Sequence, residues 1–120
     1  MMKDFRKLKV WQKAHRLTLK VYENTRKFPT DELYAVTSQM RKSSSSIPMN
    51  IAEGCGRGSD LDISRFLQIA MGSASELEYQ LILARDLAYL DLDDYEDLNR
   101  DTAEVKRMLA PFIGKLKADR

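Results

Sequence analysis

The sequence predicts an all-α protein, an antiparallel up-down-up-down four-helix bundle whose second helix is kinked by a proline. Three observations carry this expectation. Apolar residues recur at spacings of three and four in four separate segments, the period of a helix face. The alternation that marks strands is absent. The breaks between segments carry helix stop and start signals: Pro29, the glycines at 54, 56 and 58, and the acidic turn Asp91-Leu92-Asp93-Asp94. Helices of roughly 18 to 28 residues span about 27 to 42 Å, and connections of a few residues favour antiparallel neighbours.

The first helix is expected over residues 9–27, where Val10, Ala14, Leu17, Val21 and Phe28 fall in a narrow arc that Trp11 and Tyr22 widen. It stops at Phe28-Pro29, because the residue before proline is pushed out of the helical region. Thr30 offers an N-cap for a second helix over 31–53, with Asp31 and Glu32 in its first turn and Leu33, Thr37, Met40, Ser44, Ile47 and Ile51 on its inner face. Pro48 removes one backbone donor and clashes with the carbonyl four residues back, which predicts a kink near Ser44 to Pro48. Gly54, Gly56 and Gly58 are expected to end this helix through the left-handed conformation of a C-cap.

Ser59 or Asp60 caps a third helix over 60–89, with Ile63, Phe66, Leu67, Ala70, Ala74, Leu77, Leu81, Ala84 and Ala88 in its stripe. Its small-residue centre, Ala70 to Ser75, permits close approach of a neighbour. The fourth, over 93–118, alternates three and four through Tyr95, Leu98, Thr102, Val105, Leu109, Phe112 and Leu116, with Pro111 expected to bend its last turns.

A chain of 120 residues with 43% hydrophobic and 32% charged residues fits one domain over 1–120 with a core that needs no staple. Cys55 is the single cysteine, so no intrachain disulfide can form and a reducing cytoplasm is the expected location. The N-terminal residues lack the apolar run of a signal peptide, and no stretch approaches the length of a membrane span, so no membrane partner is expected.

Counting excludes most chemistry. One His15 and one Cys55 cannot furnish the usual zinc sites, and no Glu-x-x-His pair exists for a di-iron bundle, so no metal, cofactor or catalytic residue is assigned. Gly54 to Gly58 follows a helix, not a strand, and lacks the Lys-Ser/Thr ending of a phosphate loop.

Charge distribution is more informative than the net +2. Residues 1 to 42 hold eleven basic and four acidic side chains, whereas 60 to 91 hold two and six. On the first helix Lys9, Lys13, Arg16, Lys20 and Lys27 share an arc of about 60° at helical spacing. Arg41 and Lys42 add charge on the second helix, and Arg57 adds one in the glycine loop. Like charges four residues apart repel, so the rail invites either a nucleic-acid role with counterion release or pairing with acidic residues of the third and fourth helices or of another subunit. Trp11 and Tyr22, on the margin of the apolar face, read as core or interface residues, and His15, beside Trp11, reads as a surface or interface residue.

The succession Leu8-Lys9-Val10-Trp11, Val21-Tyr22, Phe28-Pro29, Ser38-Gln39-Met40-Arg41 and Ser46-Ile47-Pro48-Met49-Asn50-Ile51-Ala52-Glu53-Gly54 closely resembles the bacterial proteins encoded in intervening sequences of 23S ribosomal RNA genes, the S23 ribosomal protein family. The resemblance continues through Gly56-Arg57-Gly58-Ser59, Arg65-Phe66-Leu67, Ile69 to Ser73 and Glu76-Leu77-Glu78. It implies an antiparallel four-helix bundle assembled as a homopentamer and related to the accessory variability protein of diversity-generating retroelements, a basic pentamer that works with a reverse transcriptase and binds nucleic acid. Where the family tends to small or apolar residues after the basic pair, this chain has Ser43, Ser44 and Ser45.

The family pattern assigns a structural motif to Pro48, Asn50, Glu53, Gly54 and Gly72. Asn50 and Glu53 are expected to satisfy backbone groups freed by the proline or to pair with Arg57 or Arg65. The Gly72-Ser73 step is expected to be a close helix contact, within the bundle or between subunits. The functional expectation is a non-enzymatic homo-oligomer that associates with RNA or DNA, structured RNA first, through its basic face. Its rival is a protein-interaction scaffold or accessory subunit without direct nucleic-acid binding.

Overall fold

Asp4 accepts a hydrogen bond from the backbone N–H of Arg6 and caps a single 3-10 turn, Phe5–Lys7, that leads into the first long helix. The structure, a computed structural model, describes residues 4–118; the outermost residues of the expected 1–120 domain lie outside the described residues. Four long helices follow: α1 (Lys9–Thr25), α2 (Ser38–Cys55), α3 (Asp60–Asp86) and α4 (Leu92–Ala118), with no strand among the described residues. α1 packs on α2 and α4, and α3 packs on the same two. No helix is long and apolar enough to cross a membrane among the described residues.

The expected apolar stripes form the core. Leu17 and Val21 of α1, Met40, Ile47 and Ile51 of α2, Leu67, Leu77 and Leu81 of α3, and Leu98, Val105 and Leu109 of α4 are all buried. Each such side chain contributes on the order of 1.5 to 3 kcal/mol through the apolar area it removes from water.

α1 ends two residues earlier than expected, at Thr25, whose hydroxyl donates to the Val21 carbonyl (2.8 Å). The expected second helix also starts irregularly. A 3-10 turn at Thr30–Glu32 and a wider π turn at Leu33–Thr37 precede α2, and Ala35 leaves helical geometry (φ −124°, ψ −107°). Val36 and Thr37, adjacent in sequence, are both buried. A regular helix turns adjacent residues 100° apart, and a wide turn helps both reach the interior.

Pro48 sits buried inside α2 without ending it. Its missing N–H leaves the Ser44 carbonyl, four residues back, without its helical donor. Thr18 of α1 supplies one: its Oγ1 lies 2.8 Å from that carbonyl and 3.0 Å from the Ala14 carbonyl, so one proton is shared between them. The group expected to do this, Asn50, instead donates to the Ser46 carbonyl (2.8 Å) and hydroxyl (2.9 Å). Glu53 pairs with Arg57 (2.7 Å), whereas Arg65 lies nearest Asp62 (3.7 Å).

The glycines differ from expectation. No glycine has positive φ among the described residues, and α2 closes with Gly56 at φ −87°. Gly54 sits at a close helix contact, where a Cβ would lie 3.3 Å from Phe66 Cβ and 3.5 Å from the Ile63 carbonyl of α3. Gly72 is exposed on α3, and a Cβ there would meet nothing within 4 Å, so within the described chain it makes no close helix contact; its neighbour Ser73 does, against Ser46.

α3 begins as expected, with Ser59 accepting from the Asp62 N–H (3.2 Å). It stops at Asp86, three residues earlier than the periodicity suggests, in a two-bond helix stop. The Ala88 N–H donates to the Arg85 carbonyl and the Tyr89 N–H to the Ala84 carbonyl, both at 2.9 Å. Ala88 holds the left-handed position at φ 64°, where glycine carries no Cβ penalty. Asp91 caps α4 by accepting from the Asp94 N–H (2.8 Å).

Two stability outcomes follow from these ends and contacts. Thr18→Val removes the donor that serves Ser44 while keeping the volume, and is expected to lower unfolding free energy by about 1 to 3 kcal/mol in urea titration. Ala88→Gly relieves the left-handed strain and is expected to raise it by about 0.5 to 1 kcal/mol.

Candidate nucleic-acid interface

The cationic rail of α1 faces two ways. Lys13, Lys20 and Lys27 turn toward α4, and Lys9 and Arg16 are exposed. α4 presents carboxylates at Asp94, Asp97, Asp101 and Glu104, spaced by three and four residues, so they too share one helix face. Lys13 reaches Glu104 (3.1 Å) and Asp101 (3.5 Å), Lys20 reaches Asp101 (2.7 Å) and Asp97 (2.8 Å), and Lys27 reaches Asp94 (3.7 Å). The pairs ascend in one helix as they descend in the other. Three of the five rail cations are therefore partnered inside the chain.

The network is strongest at Lys20. Hydrogen bonds from its ammonium first to Asp101 and then to Asp97 raise its pKa above the ordinary lysine value. The same contact holds Asp97 below the usual carboxylate range. Asp101 is the most enclosed of the carboxylates, its side chain only 16% exposed.

The other candidate cations divide similarly. Arg57 is bound to Glu53 (2.7 Å) and lies over the Phe66 ring (4.6 Å), so it helps close the α2–α3 corner. Arg41 donates from Nε to Thr25 Oγ1 (2.9 Å) and rests over the Tyr22 ring (4.9 Å), with no carboxylate partner among the described residues. Lys42 is exposed and also unpaired among the described residues.

Around Arg41 and Lys42 the end of α1 and the start of α2 form a shallow surface. A hollow of about 420 Å³ is lined by Tyr22, Leu33, Tyr34, Ser38, Arg41 and Lys42. Tyr34 projects with 92% of its surface exposed. A second hollow of about 230 Å³ beside it includes Arg26, Arg41 and Thr37, whose buried hydroxyl has no partner among the described residues. Glu32, in the turn between, is engaged by the Tyr89 hydroxyl (2.6 Å). That bond also raises the Tyr89 pKa. Sequence reasoning did not single out Arg26 or Tyr34. The available signal was an aromatic and cationic cluster straddling the Phe28-Pro29 break, which face-by-face helix analysis splits in two.

The helix order and the Pro48 to Gly54 segment now bear on kinship. The description "23S rRNA-intervening sequence protein" matches residues 6–111. The chain belongs to this family. Among solved structures, this chain is similar to a protein of unknown function from the S23 ribosomal protein family of Bacteroides thetaiotaomicron VPI-5482. That similarity has 28% identity and a TM-score of 0.77 over 87% of this chain and 97% of the other. No curated protein matches the chain.

In this member of the 23S rRNA-intervening sequence family, the single histidine and cysteine sit apart from the cationic end. His15 stacks on Trp11 (5.1 Å, 7° between planes), and Trp11 meets Phe5 edge-on (5.0 Å), beside Pro48 and Met49 in an α1–α2 groove. Burial, followed by the charge of Asp4, raises the Cys55 pKa, which disfavours the thiolate.

The ion network predicts a two-sided pH response. Lys20 has a raised folded pKa, so its contribution is full below the unfolded value of about 10.4 and is lost as pH rises through the folded value. Asp97 has a lowered folded pKa, so its contribution is present above the unfolded value of about 3.9 and is lost on acidification through the folded one. The urea-midpoint difference between wild type and Lys20→Met should therefore be largest between about pH 5 and 10 and shrink at both extremes.

Proposed function

We propose that the protein is a non-enzymatic helical bundle that associates with single-stranded segments of structured RNA through the α1–α2 end. The observation that carries this reading is the cluster of cations with no carboxylate partner among the described residues, beside exposed aromatic rings: Arg26, Arg41 and Lys42 with Tyr22 and Tyr34. Cations neutralise backbone phosphates, and tyrosine rings offer a sequence-tolerant stacking surface. The paired Lys13, Lys20 and Lys27 serve the fold in this reading, and Lys9 and Arg16 add exposed charge along α1. The raised pKa of Cys55 and the stacking of His15 on Trp11 support a non-enzymatic role. The setting we propose is the cytoplasm, where a lone thiol stays reduced.

A second reading, a self-assembling interaction scaffold, is favoured by a different observation. Leu61, Ile69, Tyr79 and Ile82 are exposed on α3, where Gly72 leaves room for a close neighbour. Sedimentation tests it: a species of five chains of 13.9 kDa fits the family's implied homopentamer, and a monomer rules it out.

Anisotropy of a labelled single-stranded RNA tests the first reading. Wild type is expected to bind at low salt and to weaken as salt rises. Tyr34→Ala should cost about 1 to 3 kcal/mol, and Arg41→Ala and Lys42→Ala should each reduce the salt slope by about one. Lys13→Ala should leave binding unchanged. Absence of binding by wild type at low salt, or unaltered binding by all three end variants, would refute the reading.

A further inference from the structure

The groove between α2 and α3 contains polar groups that neither the core nor the α1–α2 end employs. Ser73 donates to Ser46 across it (2.8 Å), and Asn50 donates to the same oxygen (2.9 Å), which pins the two helices in register there. Positions ascend along α2 as they descend along α3, as the contact of Gly54 with Phe66 and Ile63 also requires. One turn from the serine pair, Lys42 therefore comes level with Glu76; a turn further, Gln39 comes level with Gln80. All four line a groove of about 460 Å³.

Two features mark this groove as unfinished. Lys42 and Glu76 face it from opposite walls, and neither has an ion-pair partner among the described residues. Gln80 is only 8% exposed, and its buried Oε1 accepts no hydrogen bond among the described residues. An unsatisfied buried carboxamide costs roughly 1 to 3 kcal/mol, a cost that a bound donor would remove.

We propose that this groove binds a small zwitterion, an α-amino acid with a polar side chain. A simple anion drawn to Lys42 would face the carboxylate of Glu76, and a simple cation drawn to Glu76 would face the ammonium of Lys42. A ligand bearing both charges on groups attached to one carbon satisfies both walls, its carboxylate toward Lys42 and its ammonium toward Glu76. The carboxamides of Gln39 and Gln80 lie one helical turn away, about 5.4 Å along the axis. That is the reach of a side chain such as that of glutamine, whose amide N–H₂ can donate to the Gln80 oxygen once that carboxamide turns into the groove it lines, and whose carbonyl can accept from Gln39. Tyr79, exposed at the edge of the groove, provides an apolar flank. The inference is independent of RNA binding; because Lys42 borders both surfaces, Glu76 and Gln80 are the positions that separate them.

The test is a titration of the ¹⁵N-labelled full chain with L-glutamine, followed by ¹H–¹⁵N spectra, with acetate and methylammonium as single-charge controls. A saturable shift of the groove's backbone amides at Ser73 and Glu76 with L-glutamine, larger than with either control, is expected. Glu76→Gln should weaken it about tenfold without altering RNA anisotropy, and Gln80→Leu should weaken it while leaving the thermal midpoint unchanged or raised. No saturable shift at millimolar L-glutamine overturns the proposal. So does an equal response to acetate or methylammonium, or wild-type affinity in Glu76→Gln.

Discussion

The facing charge stripes of α1 and α4 organise much of this molecule. Lys13, Lys20 and Lys27 meet Asp94, Asp97, Asp101 and Glu104 along the seam, and the half-buried geometry at Lys20 and Asp101 gives these contacts more weight than isolated surface pairs, whose median worth is about 0 to 1 kcal/mol. The seam relieves the like-charge repulsion that the α1 rail would otherwise carry. It also settles which cations remain unpaired, and so which part of the surface retains a positive field.

The opposite side of α1 is tied down by a different device. Thr18 reaches the Ser44 carbonyl that Pro48 deprives of its helical donor, so a proline that would weaken an isolated helix becomes a fixed point between α1 and α2. The serines following the basic pair fit this arrangement. Ser44 is fully buried with its hydroxyl on the Arg41 carbonyl (3.1 Å), and Ser46 bridges to Ser73 of α3. A stripe of small hydroxylated side chains thus lets α2 approach both neighbours, and it leaves the polar groove that larger apolar residues would have filled.

Much of the fold was legible because helical periodicity is a local property: the stripes from Val10 to Val21 and from Leu98 to Leu109 are buried as their spacing implies. Caps with a side-chain mechanism, Ser59 and Asp91, were legible for the same reason. The ends that failed depend on tertiary contact. Gly54 is set by Phe66 twelve residues later, not by its own φ, and the left-handed residue that stops α3 is an alanine. The candidate site was legible as a set of charges but not as a surface. Sequence periodicity placed Lys13 and Lys20 on one arc, yet which helix that arc faces is fixed only when the bundle closes.

The central claim, that the α1 and α4 stripes are mutual partners, is tested most directly by a charge-swap cycle on stability. Lys20→Glu alone should destabilise the protein, as should Asp97→Lys with Asp101→Lys. Combining all three should recover part of the loss, Lys13 still lacking its Asp101 contact, with a coupling of about 1 kcal/mol or more that declines with added salt. Strictly additive losses in the combined variant, with no coupling at low salt, would contradict the account.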